Sequence, residues 1–283
     1  MGRRIAIIVG TTTGAQRRHP IFEFGLWAIV AAMLFASAAC SGGTPAANGP
    51  GATAAQEINV FAAASLIDVV NDMKAALEKS GEFKVRASFG ATSDLARQIL
   101  EGATCDVFIA ADLAWMNKLR ESDGLDGKDR IIARNTLVCV APKGGANATQ
   151  PAELKSAGFK RIALADENVP AGKYARAALK FYAMHDELKP RFIGQKDVRA
   201  VLRAVATGES DAGLVYATDA AADFNVRTLF TFEQKSYPPI VYPAAVCAGS
   251  KNKEAARAFL EYLLGKQAQA ALAKRGFGPG EAP

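Results

Sequence analysis

The chain has 283 residues, half of them apolar and 22% charged, with a mean hydropathy of +0.05, a globular composition with room for one large domain or two moderate ones. Its formal net charge of +6 gathers at the front: the first forty residues hold Arg3, Arg4, Arg17 and Arg18 against Glu23 alone, leaving 30 basic against 27 acidic residues beyond them. The later charges are scattered with no basic block interleaved with aromatics, so no nucleic-acid partner is expected.

The first feature along the chain is an uncharged apolar run, Gly25 to Ala39, with Arg17 and Arg18 upstream. Fifteen residues are short for a membrane span but suit the apolar region of a secretory signal. Reading Arg17-Arg18 as a twin-arginine signal fits the flanking residues poorly. Ala36-Ser37-Ala38 is an acceptable cleavage site. Ala38-Ala39-Cys40, followed by Ser41-Gly42-Gly43, resembles a bacterial lipoprotein junction, and lipidation of Cys40 is the favoured reading. Either way residues 1–40 are expected to be an export segment and the protein to work outside the cytoplasmic membrane, periplasmic or anchored through Cys40. Residues 41–56 are Gly, Pro and Ala without a large apolar residue and read as a flexible linker.

From Glu57 strands and helices alternate. Ile58, Val60 and Phe61 predict a strand, then Val69, Val70, Met73 and Leu77 recur at helical spacing. Phe83 to Ala87 alternates as a strand, and Leu95, Ile99 and Leu100 share one helix face. A fully apolar strand at Val107 to Ile109 precedes a helix around Trp115, Met116 and Leu119. Strands are expected at Leu137 to Ala141, Arg161 to Ala165, Ala212 to Tyr216 and Val241 to Cys247, with helices at Tyr174 to Met184 and Val198 to Ala206. Two closing helices follow, with Gly265 and Gly276 as stops. This pattern predicts an α/β fold of mostly parallel sheet flanked by helices. Cys105, Cys139 and Cys247 are odd in number and contain no CxxC; Cys139 and Cys247, in apolar strand-like runs, read as buried thiols rather than a bridge.

Four helices begin with small, hydroxyl or capping residues directly after strands: at Ala63-Ala64-Ser65-Leu66, Gly90-Ala91-Thr92-Ser93, Val169-Pro170-Ala171-Gly172 and Lys196-Asp197-Val198-Arg199. Each start exposes unsatisfied backbone N–H groups and the positive end of a helix dipole. Several aimed at one point would hold an anion without Lys or Arg. On spacing alone the plainer alternative, that Ser65, Thr92 and Asp197 are N-caps, is the stronger one.

In chain order, VFAAASL (60–66), SFGATSDLARQI (88–99), DVFIAAD (106–112), LVCVAP (137–142), NVPAGKYARAAL (168–179), DVRAVL (197–202), GLVYATDA (213–220) and YPAAV (242–246) closely resemble the periplasmic molybdate-binding proteins of ABC importers. The resemblance covers Val60 to the end. It implies a two-lobed type II binding-protein architecture whose chain crosses twice between lobes, near Leu137 to Ala141 and Val241 to Cys247. Lobe one would be 57–136 with 243–283, and lobe two 137–242. It further implies that Ser65 and Thr92 donate hydroxyl and backbone N–H, Ala171 and Val198 backbone N–H alone, and Tyr216 its phenolic hydroxyl. The ligand would be molybdate or tungstate, with no direct protein ligand to the metal, no cofactor, a membrane permease as partner, and a monomeric protein. Thr92 stands where the family usually has serine, and Asp94 where relatives often carry a hydroxyl; Asp94 reads as a first-turn carboxylate favoured by the helix dipole.

The chemistry of such a site is consistent with that ligand. A fully deprotonated tetrahedral dianion offers acceptors and no proton, so a site made only of donors suits it and leaves the proton of hydrogen phosphate unmatched. Phosphate, sulfate or a carboxylate remain alternative cargoes. For an enzyme, the only histidine after the export segment, His185, sits in a polar helix end and reads as solvated, and no HExxH, GxSxG or Walker loop is present. A sensor lobe of a transcription regulator would carry a helix-turn-helix where this chain has an export segment.

Overall fold

A computed structural model describes residues 55–281. The expected export segment, Cys40 and the linker as far as residue 54 lie outside them. Strand β1 (Gln56–Ala63) runs through a one-turn 3-10 helix, Ala64–Leu66, into α1 (Ile67–Ser80). Next come β2 (Phe83–Gly90), α2 (Thr92–Leu100), β3 (Val107–Ile109), α3 (Leu113–Glu121) and β4 (Leu125–Asn135). A second series holds β5 (Leu137–Pro142), β6 (Ile162–Ala165), α4 (Pro170–Phe181), α5 (His185–Leu188), β7 (Phe192–Gln195), α6 (Val198–Ala206), β8 (Ala212–Tyr216), α7 (Ala217–Ala221) and β9 (Val226–Thr231). The chain closes with β10 (Ile240–Cys247), α8 (Lys253–Leu264), α9 (Lys266–Lys274) and β11 (Gly278–Pro279).

The strands form two sheets, ordered β11-β4-β10-β3-β1-β2 and β7-β6-β8-β5-β9. The chain leaves the first sheet through Thr136 alone and returns over residues 232–239. β10 pairs with β4 from Ile240, so the chain is back in the first sheet three residues before the expected return at 243. β1 likewise starts at Gln56, inside the expected linker.

The α/β class and two-sheet architecture hold, but the sheets are mixed rather than mostly parallel. β1 is parallel to β2 and β3, and β6 to β7 and β8; every pair made by β4, β5, β9, β10 or β11 is antiparallel. The reason is topological. Strands joined through helices keep one direction, whereas β5 and β10, which follow the two crossings, run against the strands beside them, and β11 runs with β10.

Periodicity explains the helices that were expected. α1 buries Val69, Val70, Met73 and Leu77 on one face and stops at Gly81, whose φ of +76° is open to glycine and whose N–H bonds Leu77 O. α6 buries Val198, Val201, Leu202 and Val205 against β8. α4 ends at Phe181, short of the expected Met184, because Ala183 turns to φ +53°. Cys105, Cys139 and Cys247 are buried free thiols. His185 is not solvated as expected: its side chain is 13% exposed, edge-on to Phe192 and bonded to Asp186 at 2.8 Å. Among the described residues no helix is long and apolar enough to cross a membrane.

Candidate functional site

All four helix starts come to one cavity at the carboxyl ends of β1, β2, β6 and β7. Its walls include Ser65, Thr92, Ala171, Val198 and Tyr216, so all five expected site residues line the same space, from both sheets. Counted as the room for the centre of a water-sized sphere, the space is about 10 Å³, far below the roughly 300–1,000 Å³ of pockets for drug-sized ligands. That size suits a small ion.

The capping pattern differs among these starts. Neither Ser65 nor Thr92 is an N-cap: those places belong to Ala63 and Ala91, which have no side-chain oxygen to offer. Val169 caps α4 equally emptily, with Pro170 following at the first turn. Only Asp197 caps conventionally, its Oδ1 accepting from Ala200 N–H at 2.8 Å. At three of the four starts, therefore, no side chain of the N-cap residue satisfies the first-turn N–H groups.

Thr92 Oγ1 accepts from Ala111 N–H at 3.1 Å, which leaves its own proton to be given elsewhere. Tyr216 Oη is fully buried without a hydrogen-bond partner. Burial, then neighbouring Tyr242, holds its pKa well above the ordinary phenol value, so it keeps its proton and can donate. No Lys or Arg lines the cavity, and its one carboxylate, Asp197, is turned onto its own helix. Asp94 lies outside the lining and pairs with Arg97 on the half-exposed side of α2.

α4 reaches this position because Gly172 has no side chain. A Cβ there would stand 2.2 Å from Asp166 O and 2.3 Å from Ala165 O, so the glycine lets the helix start press onto the end of β6 and sets Ala171 in the wall.

Two clasps hold the halves together around the cavity. On one side Trp115 Nε1 donates to Asn168 O at 2.9 Å, Tyr174 Oη to Ala111 O at 3.3 Å, and Lys173 Nζ meets Asp112 Oδ2 at 3.4 Å. On the other, Arg199, the residue after Val198, reaches Asp68 at 2.6 Å and Ser65 O at 3.3 Å. Its Nε lies 2.7 Å from Asp219 Oδ1, close as charges but not aligned as a hydrogen bond. Burial raises Asp219 to a pKa of about 6 against the opposing pull of Arg199. Sequence reasoning assigned no role to Arg199, Asp219, Trp115 or Asn168. Arg199 lay within DVRAVL, but only the fold brings Asp68 to it.

Residues 58–278 match the model of the bacterial extracellular solute-binding proteins. The chain belongs to this family. As a member it is a solute-binding component of transport and not an enzyme. It is 37% identical over 230 residues to the molybdate-binding protein ModA of Escherichia coli (strain K12), covering 78% of this chain and 88% of that one. It is 32% identical over 223 residues to the putative ABC transporter substrate-binding lipoprotein YvgL of Bacillus subtilis (strain 168), covering 78% and 85%. The fold matches the periplasmic molybdate-binding protein of Azotobacter vinelandii with a TM-score of 0.73 at 24% identity, over 78% of this chain and 98% of that one.

Proposed function

We propose that this solute-binding protein captures molybdate, and tungstate with it, in the cavity between its sheets and delivers the ion to an ABC importer in the membrane. The observation that carries the reading is a small cavity walled from both sheets without Lys or Arg, Tyr216 being one of its walls and its buried Oη having no partner. Ser65 and Thr92 give hydroxyl and backbone N–H, Ala171 and Val198 backbone N–H, and Tyr216 its phenol. Each hydrogen bond to a charged ligand contributes about 1.5–3 kcal/mol, enough when several act together to offset the cost of immobilising an ion. The names of the molybdate-binding relatives support the cargo.

The ion bridges the sheets, so it favours the closed arrangement by the difference between its affinities for closed and open forms. The Arg199 and Trp115 clasps add to that difference, because they join the same two halves. The closed protein, acting as a monomer held to the membrane through lipidated Cys40, then presents one fixed face to a permease. YvgL's description as a lipoprotein supports the anchor.

Titration calorimetry against molybdate, tungstate, sulfate and phosphate tests the cargo. Tight binding of the first two with weak or no heat from the others is expected; heat from phosphate alone overturns the assignment. Mass spectrometry of the native N-terminus tests the anchor, an unmodified terminus beyond Cys40 being the contrary result.

A further inference from the structure

Behind Ser65, its hydroxyl meets a buried chain of polar groups. Ser65 Oγ lies 3.0 Å from Tyr242 Oη. Tyr242, fully buried near the start of β10, accepts from Asn135 Nδ2 at 3.1 Å, and the same nitrogen donates to Thr218 Oγ1 at 2.9 Å. Asn135, the last residue of β4, accepts from Thr136 N–H through Oδ1 at 2.9 Å.

These contacts fix where every proton goes. A backbone N–H can only donate, so the amide oxygen of Asn135 must face Thr136 and the nitrogen must face Tyr242 and Thr218. That nitrogen has two protons, and both are used. Tyr242 Oη accepts one of them, so its own proton is directed to Ser65 Oγ. Ser65 therefore accepts from behind, and its proton is free for the cavity it lines.

We propose that Asn135 and Tyr242 are positioning residues for specificity: they lock Ser65 as a donor and so deny a lone pair to any anion that carries a proton. The proposal rests on the reading of Ser65 as a ligand to the bound oxyanion. Thr92 is polarised in the same sense by Ala111 N–H, so both hydroxyls contributed by the first sheet face the ligand proton-first. Neither Asn135 nor Tyr242 is among the residues lining the cavity.

Two substitutions test the lock. Tyr242→Phe keeps the ring and frees the Ser65 hydroxyl to turn. Asn135→Asp is close in shape but places a carboxylate oxygen where the amide donated. Tyr242 then donates to it, Ser65 donates to Tyr242, and a serine lone pair faces the cavity. Binding of molybdate, sulfate and hydrogen phosphate is measured by calorimetry at pH 8, where all three are dianions, so repulsion from the new carboxylate falls on each alike. The ratio of phosphate to molybdate dissociation constants should shrink about tenfold in Tyr242→Phe and further in Asn135→Asp. Equal weakening of all three anions, which is what a merely structural role predicts, overturns the proposal. If Tyr242→Phe does not fold, Asn135→Asp gives the same readout. Wild-type protein and Ser65→Ala separate the two levels of the argument. No molybdate binding by wild type, or none lost in Ser65→Ala, sinks the site itself, whereas normal results there with an unchanged ratio sink only the lock.

Discussion

Replacing Tyr216 by Phe should move stability and binding in opposite directions. Its hydroxyl is fully buried and has no protein partner, so the ligand-free closed protein bears the cost of desolvating it. An unsatisfied buried hydroxyl costs about 1–3 kcal/mol, and that burden disappears with the oxygen. Water reaching the cavity in an open form offsets part of this, so the melting temperature without ligand should hold or rise, by about 2–4 °C for each kcal/mol recovered. Binding loses a hydrogen bond to a dianion, about 1.5–3 kcal/mol, which weakens molybdate by about ten- to a hundredfold. The ring remains, and with it the edge contacts to Tyr174 at 6.4 Å and Tyr242 at 6.2 Å, so packing does not confuse the result. Calorimetry gives the affinity, and a thermal melt with and without molybdate gives the stability. A variant that binds as tightly as wild type, or whose ligand-free form melts well below it, refutes the placing of this hydroxyl toward the ion.

Three further outcomes follow from the geometry. Gly172→Ala drives a methyl against Asp166 O and Ala165 O, so the start of α4 must shift; we expect a lower melting temperature and at least about tenfold weaker molybdate binding, and a wild-type dissociation constant would contradict this. Trp115→Phe removes the bond to Asn168 O, worth about 0.5–1.5 kcal/mol, and should weaken binding about two- to twelvefold. Trp115 is the tryptophan beyond the first forty residues, so molybdate should change the fluorescence of wild type and not of Trp115→Phe; a ligand-dependent signal that persists in the variant would show that Trp115 does not report closure. Asp219 binds a proton more tightly folded, with a pKa of about 6, than unfolded near 3.8, so its contribution to stability is full below about pH 4 and is lost as pH rises through 6. The stability of wild type relative to Asp219→Asn should therefore decline across that window in denaturant titrations; a constant difference rules out Asp219 as the titrating group.

What the sequence made legible follows from how local each signal is. α1, α2 and α6 announce themselves because their apolar residues repeat within a few positions, and β5 and β8 because they are apolar throughout. β4 does not: Leu125-Asp126-Gly127-Lys128-Asp129-Arg130 is polar and partly exposed, and it is held by pairing with β10 more than a hundred residues later. β9, with Arg227 and Thr228, is hidden for the same reason. The helix starts were visible as small residues after apolar strands, but whether Ser65 and Thr92 were caps or free donors turned on which residue the backbone chose as the cap. It chose Ala63 and Ala91. The partners behind and beside the site were out of reach, since Arg199 lies 134 positions from Ser65, and Tyr242 lies 177.

Two of the five groups facing the proposed ion, Ala171 and Val198, offer only main-chain amides. Conventional alanine scanning has nothing to remove at the first and would trim only aliphatic bulk at the second, so a survey of that kind would register both as silent. Amide-to-ester replacement at these peptide units, which deletes a donor while leaving the side chain untouched, is the chemistry that would make them audible. By the same logic, relatives can vary freely in side chain at such positions without surrendering their ligand, provided each helix still begins on the same residue.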